Sequence, residues 1–520
     1  MKRRDATAAA LLTLAGCATP PGVLAPVEDA RPAGASMPGA APRELRGAWV
    51  ATVDNIDWPS RRGLPAAEQR AEMQRLLERS LTLGLNALML QVRPAADAIY
   101  PSALEPWSEY LSGEQGRAPE PGWDPLAMWV REAHKRGIEL HAWFNPYRAW
   151  HPSARGAPAV NHVSRSKPQL VRRYGDMMWL DPAEPEAAAH TLAVVADVLT
   201  RYDIDGVHID DYFYPYPVKA ADGGDVEFPD AAPFQRYRDG GGVLARDDWR
   251  REQVNKLVQA MFETVHRIKP AARFGISPFG LGRPDLRPAG IEGFSQFDKL
   301  YADVETWVER GWYDYLAPQL YWPIDREKQA FPVLLDYWSR RVSSGKHLWP
   351  GIFTSSIAAA NVTPAPGARA WRADEILKQI TLQRWQGGAT GHIHFSMAAL
   401  MQDRDGVATQ LRQGLYREAA LAPASPWLDA RVPAAPTLRV EAGQLHIVPA
   451  PGDAAFVWAL WLRQGERWNF RVLPAPQTRL ALTAEGVAVD AAVVSAVSRS
   501  GQESARVPWR AAGMSAPLAR

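Results

Sequence analysis

The spacing of apolar and polar residues divides the chain into two regions of different periodicity. From Leu45 to about Tyr416, short apolar runs alternate with longer segments in which apolar residues recur at helical spacing. Strands that alternate with helices in this way are typical of a parallel sheet covered by helices. Beyond a proline-rich stretch, short alternating runs are separated by turn sequences, which predicts a second, all-β region.

The first region contains eight apolar runs bounded by loop sequences. We expect strands at 45–54, 85–93, 138–145, 204–210, 273–278, 313–321, 347–354 and 390–396. We expect helices at 66–83, 124–136, 186–201, 250–268, 298–310, 371–386 and 405–418. Eight strands with intervening helices predict an α/β fold, a (β/α)8 TIM barrel over residues 43–420. The alternative is an open doubly wound sheet, but no glycine-rich phosphate-binding turn follows the first strand.

The second region is short. Four prolines between positions 423 and 436 indicate a linker at residues 421–436. Residues 437–512 then contain alternating runs at 437–440, 445–448, 456–462, 468–472, 479–482 and 491–497. This density of short strands predicts a small fibronectin-III-like β-sandwich.

The first 17 residues carry a targeting pattern. Basic residues at 2–4 precede the apolar run 6–14, which is too short to span a bilayer as a helix. The sequence LAGC that ends at Cys17 resembles a bacterial lipoprotein signal, which implies that Cys17 is lipidated and becomes the mature N-terminus. An ordinary signal peptide with an incidental cysteine is the alternative.

The residues after Cys17 extend this prediction. Ala18 follows the cysteine, which is similar to lipoproteins sorted to the outer membrane, so we expect a lipid-anchored envelope protein that faces the periplasm. Residues 18–42 are rich in Pro, Ala and Gly and predict a flexible tether. Cys17 is the single cysteine of the chain, so no intramolecular disulfide forms.

Composition narrows the possible ligands. The 520 residues carry a net charge of +2 with both signs interspersed, which argues against a nucleic-acid partner. There are 21 Trp residues, many beside Pro, Asn or Asp in loop-like contexts. Aromatic faces stack on sugar rings, so this usage favours a polysaccharide substrate over a purely structural role in the core. No cofactor is indicated.

Two adjacent carboxylates, Asp210 and Asp211, close the fourth predicted strand. Alternation turns Asp210 and His208 towards the barrel interior, and TIM barrels keep catalytic groups at the carboxyl ends of their strands. The aromatic sequence YFYPYP follows at 212–217. Paired carboxylates in such a mouth repel each other and lose water, so one pKa is expected to rise, as acid-assisted glycoside cleavage requires. The alternative is a pair that caps the next helix or binds arginine.

Other predicted strand ends bring polar and aromatic side chains to the same mouth, and alternation on the eighth strand assigns His392 and His394 to the interior. A polar floor with aromatic walls suits a neutral sugar polymer. Any one of these residues could be structural instead; Arg93 could pair with Asp54 and satisfy two buried charges. The expected substrate-binding residues are Asp54, Trp58, Arg93, Asn145, Tyr147, His208, Tyr212, Gln319, Tyr321, Trp322 and His394.

At these strand ends the chain resembles a known family, the family-10-like glycosyl hydrolases of bacterial envelopes, over nearly all of residues 43–420. The resemblance implies a TIM-barrel hydrolase acting on glycan, and some relatives are divisome-linked lipoproteins that cut peptidoglycan strands lacking stem peptides. It implies Asp210 and Asp211 as the leading catalytic pair. The fourth-strand motif also resembles that of chitinases and N-acetylglucosaminidases, although Tyr212 stands where those enzymes carry an acid glutamate. The motifs are LRGAWVATVDNIDWPS (45–60), QVRPAADAIYPS (91–102), HAWFNPYR (141–148), DGVHIDDYFYPYP (205–217), PQLYWP (318–323) and GHIHFSM (391–397).

Two catalytic schemes fit the sequence. In the first, the substrate's own N-acetyl group attacks the anomeric carbon, Asp210 polarises that group and Asp211 protonates the leaving oxygen, which requires 2-acetamido sugars such as those of peptidoglycan. In the second, Asp210 is a nucleophile or base, and Asp54, Asp97 or Glu105 supplies the acid.

Two other classes of function compete with glycoside hydrolysis. A metal-dependent hydrolase such as a deacetylase could use His208 with Asp210, or His392 with His394, as ligands at i and i+2. A glycan-binding protein without turnover would keep the aromatic cleft and lack an acid glutamate.

Overall fold

The computed structural model describes residues 37–342, 345–359, 370–452, 455–484 and 487–511. The described residues from Pro38 onward form one compact unit. The predicted lipoprotein signal at 1–17 and most of the predicted tether at 18–42 lie outside the described residues. Within the described ranges, no helix combines the length and the apolar character needed to cross a bilayer.

The first region forms a parallel sheet, as the alternation of strands and helices predicts. Its strands, in chain order, are Leu45–Val50, Ala87–Arg93, Glu139–Phe144, Gly206–Ile209, Arg273–Ile276, Tyr315–Leu316, His347–Leu348, Gly351–Ile352 and Gly391–His394. We number them one to eight and count the two short strands at 347–352 as the halves of strand seven. Every neighbouring pair runs parallel.

The two halves of strand seven stand at opposite ends of the hydrogen-bonded order, so the sheet curls round on itself. The first half pairs with strand six and the second with strand eight. Between them, the Trp349 N–H donates to the carbonyl of Leu316 at 2.9 Å, and the carbonyl of Pro350 accepts from the N–H of Ile393 at 3.1 Å. Pro350 has no N–H to donate, which explains the break in the strand.

Helices cover the outside of the sheet at the predicted places, with boundaries that shift by a few residues. The sequence patterns did not predict the helix Phe331–Ser339, or a small antiparallel sheet of Arg148–Trp150, Val171–Tyr174 and Met177–Leu180 after strand three. The α-helices are Ala66–Leu83, Glu109–Ser112, Pro125–His134, Val163–Ser166, Pro185–Arg201, Ala231–Asp239, Arg246–Ile268, Gln296–Lys299, Val304–Arg310, Phe331–Ser339, Ala373–Gln386, Met397–Met401 and Val407–Gln413. Short 3-10 turns occur at Val53–Asn55, Pro168–Leu170, Pro284–Leu286, Glu327–Gln329, Thr354–Ser356 and Arg404–Gly406.

Separate apolar clusters fill the two sides of the sheet. Val207 and Ile209 belong to the large cluster between sheet and helices, so strand four follows the predicted alternation. Strand eight does not, because Ile393 belongs to the inner cluster. His392 and His394 therefore point outward, where both contact the hydroxyl group of Tyr416.

The second region is all-β, as predicted. A three-stranded antiparallel sheet and a four-stranded antiparallel sheet share one buried apolar cluster that includes Leu445, Trp458 and Val494. The fibronectin-III-like assignment stays a prediction. The strands are Thr437–Glu441, Gln444–Val448 and Arg479–Ala481 in one sheet, Val457–Gln464, Arg467–Pro474, Ala491–Val497 and Val507–Arg510 in the other, and a separate pair Thr483–Ala484 and Val487–Ala488.

This β-sandwich packs against the amino ends of the parallel strands. In the linker that precedes it, Ser425 donates its backbone N–H to the carbonyl of Ser500 in the sandwich at 2.7 Å. Ser425 Oγ accepts a hydrogen bond from Arg273 Nε at 2.9 Å and lies 3.0 Å from His347 Nε2, and those two residues begin strands five and seven. The Arg499 guanidinium binds the carboxylate of Asp203, just before strand four, at 2.5 and 2.6 Å. The sandwich therefore lies at the opposite end of the sheet from the carboxyl ends of the strands.

Candidate active site

A cleft opens at the carboxyl ends of the parallel strands, with a cavity of about 300 Å³. Asp210 and Asp211, at the end of strand four, are the acidic residues among the described side chains that line it. Aromatic residues form its walls. The lining also includes Trp49, Gln91, Trp143, Arg148, His151, Tyr212, Tyr216, Ser277, Gln319, Tyr321 and Phe395.

The Asp210 carboxylate is buried, and only one of its two oxygens has a well-aligned hydrogen-bond donor. Its Oδ2 accepts a hydrogen bond of 2.5 Å from Asn145 Nδ2, whereas its Oδ1 has no hydrogen-bond partner within the described ranges. Burial, followed by the neighbouring Asp211 carboxylate, raises the pKa of Asp210 to about 7. Asp210 is therefore the carboxyl group that can carry a proton near neutral pH.

Asp211 is buried too, but both of its oxygens have donors. The Tyr216 hydroxyl donates to Oδ2, and Gln319 Nε2 donates to Oδ1 at 3.0 Å. Burial raises the pKa of Asp211, and the two donors oppose that rise because they stabilise the ionised form. Two neighbouring carboxylates thus have unequal surroundings, because both oxygens of Asp211 have donors of good geometry whereas only Oδ2 of Asp210 does.

Hydrogen bonds from neighbouring side chains fix the amide of Asn145, which donates to Asp210. Gln91 Oε1 accepts the backbone N–H groups of Thr52 at 3.0 Å and Val53 at 2.9 Å, so its Nε2 is free to donate to Asn145 Oδ1 at 2.5 Å. Arg148 donates to the same Oδ1 at 2.7 Å. Since both donors fix the amide of Asn145, its Nδ2 faces Asp210.

Arg148 also shapes the aromatic wall. Its guanidinium lies 4.9 Å from the ring centroid of Tyr212, and its Nε donates to the carbonyl of Pro94 at 2.8 Å. Tyr321 stacks on Phe353 with ring centroids 4.8 Å apart. Trp322 lines a neighbouring cavity that shares Tyr321 with the cleft. Tyr212, Gln319 and Tyr321 are thus brought together with the carboxylates, and Trp322 lies beyond them.

Several residues that the sequence predicted to bind substrate contact other parts of the protein instead. Trp58 and Tyr147 are buried in the core between sheet and helices. Arg93 is fully buried and binds Glu105 at 2.5 Å, so its structural partner is Glu105 and not Asp54. Asp54 is exposed and lies 3.5 Å from an arginine in the following loop.

The two histidines that were predicted to bind substrate, His208 and His394, also have hydrogen-bond partners within the protein. His208 Nε2 accepts from Trp49 Nε1 at 3.0 Å and its Nδ1 lies 3.0 Å from the Tyr315 hydroxyl. His394 Nδ1 lies 2.7 Å from the Thr354 hydroxyl, and its Nε2 lies 2.8 Å from that of Tyr416. Burial lowers the pKa of both histidines well below the usual value. Both are therefore neutral structural residues without an atom to offer to substrate.

These contacts argue against the metal-dependent hydrolase predicted as an alternative, because the ring nitrogens of His208 and His394 already have protein partners. Across the described ranges, no three His, Cys, Asp or Glu side chains are grouped as metal ligands would be. The i, i+2 spacing on the strands therefore reflects packing inside and outside the sheet.

The candidate separate acids fall outside the cleft. Burial raises the pKa of Asp97 to about 6, but its carboxylate accepts from Ala95 N and Gln115 Nε2 and does not line the cleft. Burial would raise the pKa of Glu105, but Arg93 and His190 hold it at about 2. Asp210 and Asp211 remain as the acidic pair.

Sequence reasoning missed several residues of the cleft. Trp49, Trp143 and Ser277 were not proposed for the site, yet all three line it. Alternation could have found Trp143, which shares the inward face of strand three with Asn145. Ser277 directly follows strand five, and no local motif distinguishes it.

A curled parallel sheet with paired carboxylates in an aromatic cleft at its carboxyl end defines a glycoside hydrolase-like protein. Residues 44–367 match the family described as Glycosyl hydrolase-like 10, and the chain belongs to that family, which confirms the resemblance seen in the sequence motifs.

Two proteins of similar sequence agree with this assignment. The chain is 42% identical over 404 residues to Glycosyl hydrolase YngK of Bacillus subtilis (strain 168), covering 76% of each protein. It is 35% identical over 359 residues to Glycosyl hydrolase DigH of Escherichia coli (strain K12), covering 65% of this chain and 79% of that protein. Among solved structures, it is similar to the PgaB (BpsB) glycoside hydrolase domain of Bordetella bronchiseptica, with a TM-score of 0.47, 12% identity, and coverage of 72% of this chain and 98% of that one.

Proposed function

We propose that this protein hydrolyses O-glycosidic bonds in cell-wall polysaccharide, and that its substrate is the glycan strand of peptidoglycan. The observation that carries the proposal is the unequal carboxylate pair: Asp210 has a free buried oxygen and a pKa raised, chiefly by burial, to about 7, whereas Asp211 has donors on both oxygens. Acid-assisted glycoside cleavage needs one protonated and one ionised group. In this proposal the curled sheet is a (β/α)8 barrel.

The unequal surroundings of Asp210 and Asp211 assign their catalytic roles in the reverse order from the first scheme predicted from the sequence. Asp210 is the proton donor, because its raised pKa leaves it protonated near neutral pH. Asp211 is the anion that accepts the N–H of the substrate's acetamido group. A carboxylate has about four acceptor positions, so Asp211 can accept this bond beside those from Tyr216 and Gln319.

The reaction then proceeds with help from the substrate. The acetamido carbonyl oxygen bonds to the anomeric carbon as the glycosidic C–O bond breaks, and the proton of Asp210 passes to the leaving oxygen. Water next adds to the anomeric carbon, returns a proton to Asp210 and restores the acetamido group. No second carboxylate at a longer distance is needed.

The walls of the cleft support a saccharide ligand. Tyr212, Tyr216, Tyr321 and Phe395 line it, and aromatic faces pack on the apolar faces of sugar rings. The family membership of the chain supports the same class of substrate.

The place of action is a separate part of the proposal. The lipoprotein-like start of the sequence supports an outer-membrane anchor at Cys17, with the protein in the periplasm beside the cell wall. The β-sandwich lies at the opposite end of the sheet from the cleft, which supports a role as a spacer or wall-docking module.

An Asp210→Asn variant tests the proposal. We expect a loss of about 10²–10⁴ in kcat on glycan strands, which is usual when a general acid is removed. Asp97→Asn is the matched control, since Asp97 is also buried with a raised pKa but lies outside the cleft. Equal turnover of Asp210→Asn and the wild type would refute the proposed role.

A further inference from the structure

The cleft contains three buried polar atoms without a partner. Trp143 Nε1, Asp210 Oδ1 and Ser277 Oγ make no well-aligned hydrogen bond to a described residue, and the three residues are only 6%, 4% and 1% exposed. Trp143 nevertheless lies near enough to Asp210 to oppose the rise in its pKa. All three side chains line the same cavity. An unpaired buried polar atom costs free energy, and the three atoms that line this cavity face a space that a ligand can enter and pair with them.

These atoms surround the end of strand four. Trp143 lies opposite His208 in the register of strands three and four. On the other side, the N–H of Ser277 donates to the carbonyl of Ile209 at 2.8 Å. Trp143 and Ser277 therefore flank Asp210 from the two neighbouring strands.

The chemistry of each atom limits its partner. Indole Nε1 is only a donor, and Asp210, its nearby acceptor in the protein, is not well aligned with it. The amide carbonyl of a 2-acetamido sugar is a strong acceptor that can take this N–H. That carbonyl oxygen has two lone pairs, so one can accept from Trp143 while the other attacks the anomeric carbon. The Ser277 hydroxyl both donates and accepts, which matches a ring hydroxyl of any sugar.

We propose that Trp143 Nε1 donates a hydrogen bond to the acetamido carbonyl of the sugar beside Asp210, so that Trp143 selects 2-acetamido sugars, while Ser277 binds a ring hydroxyl of the same sugar without such selection. The inference rests on the proposed function. It assigns specificity to a residue on strand three and leaves Asp210 as the proton donor.

Kinetics on paired substrates test this assignment. The substrates are peptide-free glycan strands in N-acetylated and chemically N-deacetylated form. Trp143→Phe keeps the ring and removes the donor, so we expect kcat/KM on acetylated glycan to fall about 10- to 100-fold. Binding of deacetylated glycan, which the wild type is not expected to cleave, should change far less. Ser277→Ala should weaken binding of both forms by the same factor. Trp129→Phe is the control, because Trp129 Nε1 is also buried and unpaired in the described structure but lies in the outer core.

Binding separates recognition from turnover. In an Asp210→Asn background, calorimetry should show that adding Trp143→Phe weakens binding of acetylated glycan alone. Equal losses on both glycans, or none, would overturn the inference and leave the hydrolase proposal standing. Absence of binding and cleavage of every glycan by the wild type would instead overturn the proposed function, and the inference with it.

Discussion

Asn145 donates its amide N–H to Asp210 at 2.5 Å, and this bond links the end of strand three to the end of strand four. The amide cannot turn round, because Gln91 and Arg148 both donate to its oxygen. Asp210 therefore receives a fixed donor on Oδ2, while its Oδ1 has no well-aligned hydrogen-bond partner among the described residues. Asn145 is a positioning residue of the proposed site.

Removal of that donor should change the pH dependence of the reaction. The donor stabilises ionised Asp210, so Asn145→Leu raises the pKa of Asp210 further and moves the basic limb of the kcat–pH profile to higher pH, while kcat itself falls. Asn255→Leu is a control, because Asn255 accepts a bond from Trp307 outside the cleft. A lower kcat with an unmoved basic limb would indicate a structural role only.

Asp210 should also make folding stability depend on pH. Burial and the Asp211 carboxylate raise the pKa of Asp210 to about 7 in the folded protein, against about 3.9 for an unfolded aspartate. Between these values the folded state keeps a proton that the unfolded state has released, so this contribution to stability falls as pH rises through the window. Thermal unfolding from pH 4 to pH 8 should show Asp210→Asn gaining in Tm relative to the wild type up to about pH 7 and then levelling. A difference that does not vary with pH would contradict the raised pKa.

Most of the fold could be predicted from the sequence, because strands and helices differ in the period of their apolar residues. The inward direction of Asp210 followed from the alternation of Val207 and Ile209, which the structure confirms. On strand eight, the prediction from side-chain alternation was wrong. Alternation placed the two histidines of this strand on one face, and that face was predicted to line the interior, but Ile393 fills the interior, and Tyr416 from a distant segment pairs with both histidines.

The site was predictable in part for a related reason. Adjacent carboxylates and the aromatic loop are local features, whereas partners such as Arg93 and Glu105, or Asp211 and Gln319, are distant in sequence. Ser277 carries no local motif, whereas Trp143 lies within the motif at 141–148 and shares the inward face of strand three with Asn145. Their place in the cleft depends on how strands three and five pair with strand four.

The contacts of the linker residue Ser425 and of Arg499 in the β-sandwich predict that this C-terminal region is needed for stability. Ser425→Ala leaves Arg273 Nε and His347 Nε2 without their buried partner and should cost about 1–3 kcal/mol of unfolding free energy. Denaturant unfolding measures this, with exposed Ser60→Ala as a control that should change little. A chain that ends at Leu421 loses Ser425 and Arg499 together and should be less stable still. An unchanged midpoint in that shortened chain would show that the sandwich is independent.

The lipoprotein proposal predicts where the protein is found. With Cys17 lipidated, the mature protein should enter the detergent phase and sediment with membranes. Cys17→Ser should release it from membranes or leave it unprocessed. Wild-type protein that stays freely soluble in the periplasmic fraction would contradict the anchor.

The most direct test of the central claim is cleavage of isolated, peptide-free peptidoglycan glycan strands by the full-length protein. We predict that N-acetylated strands are cut with new reducing ends, that chelator has no effect, and that N-deacetylated strands and the Asp210→Asn variant show little or no turnover. Hydrolysis of deacetylated strands at the same rate as acetylated strands would contradict the substrate-assisted account.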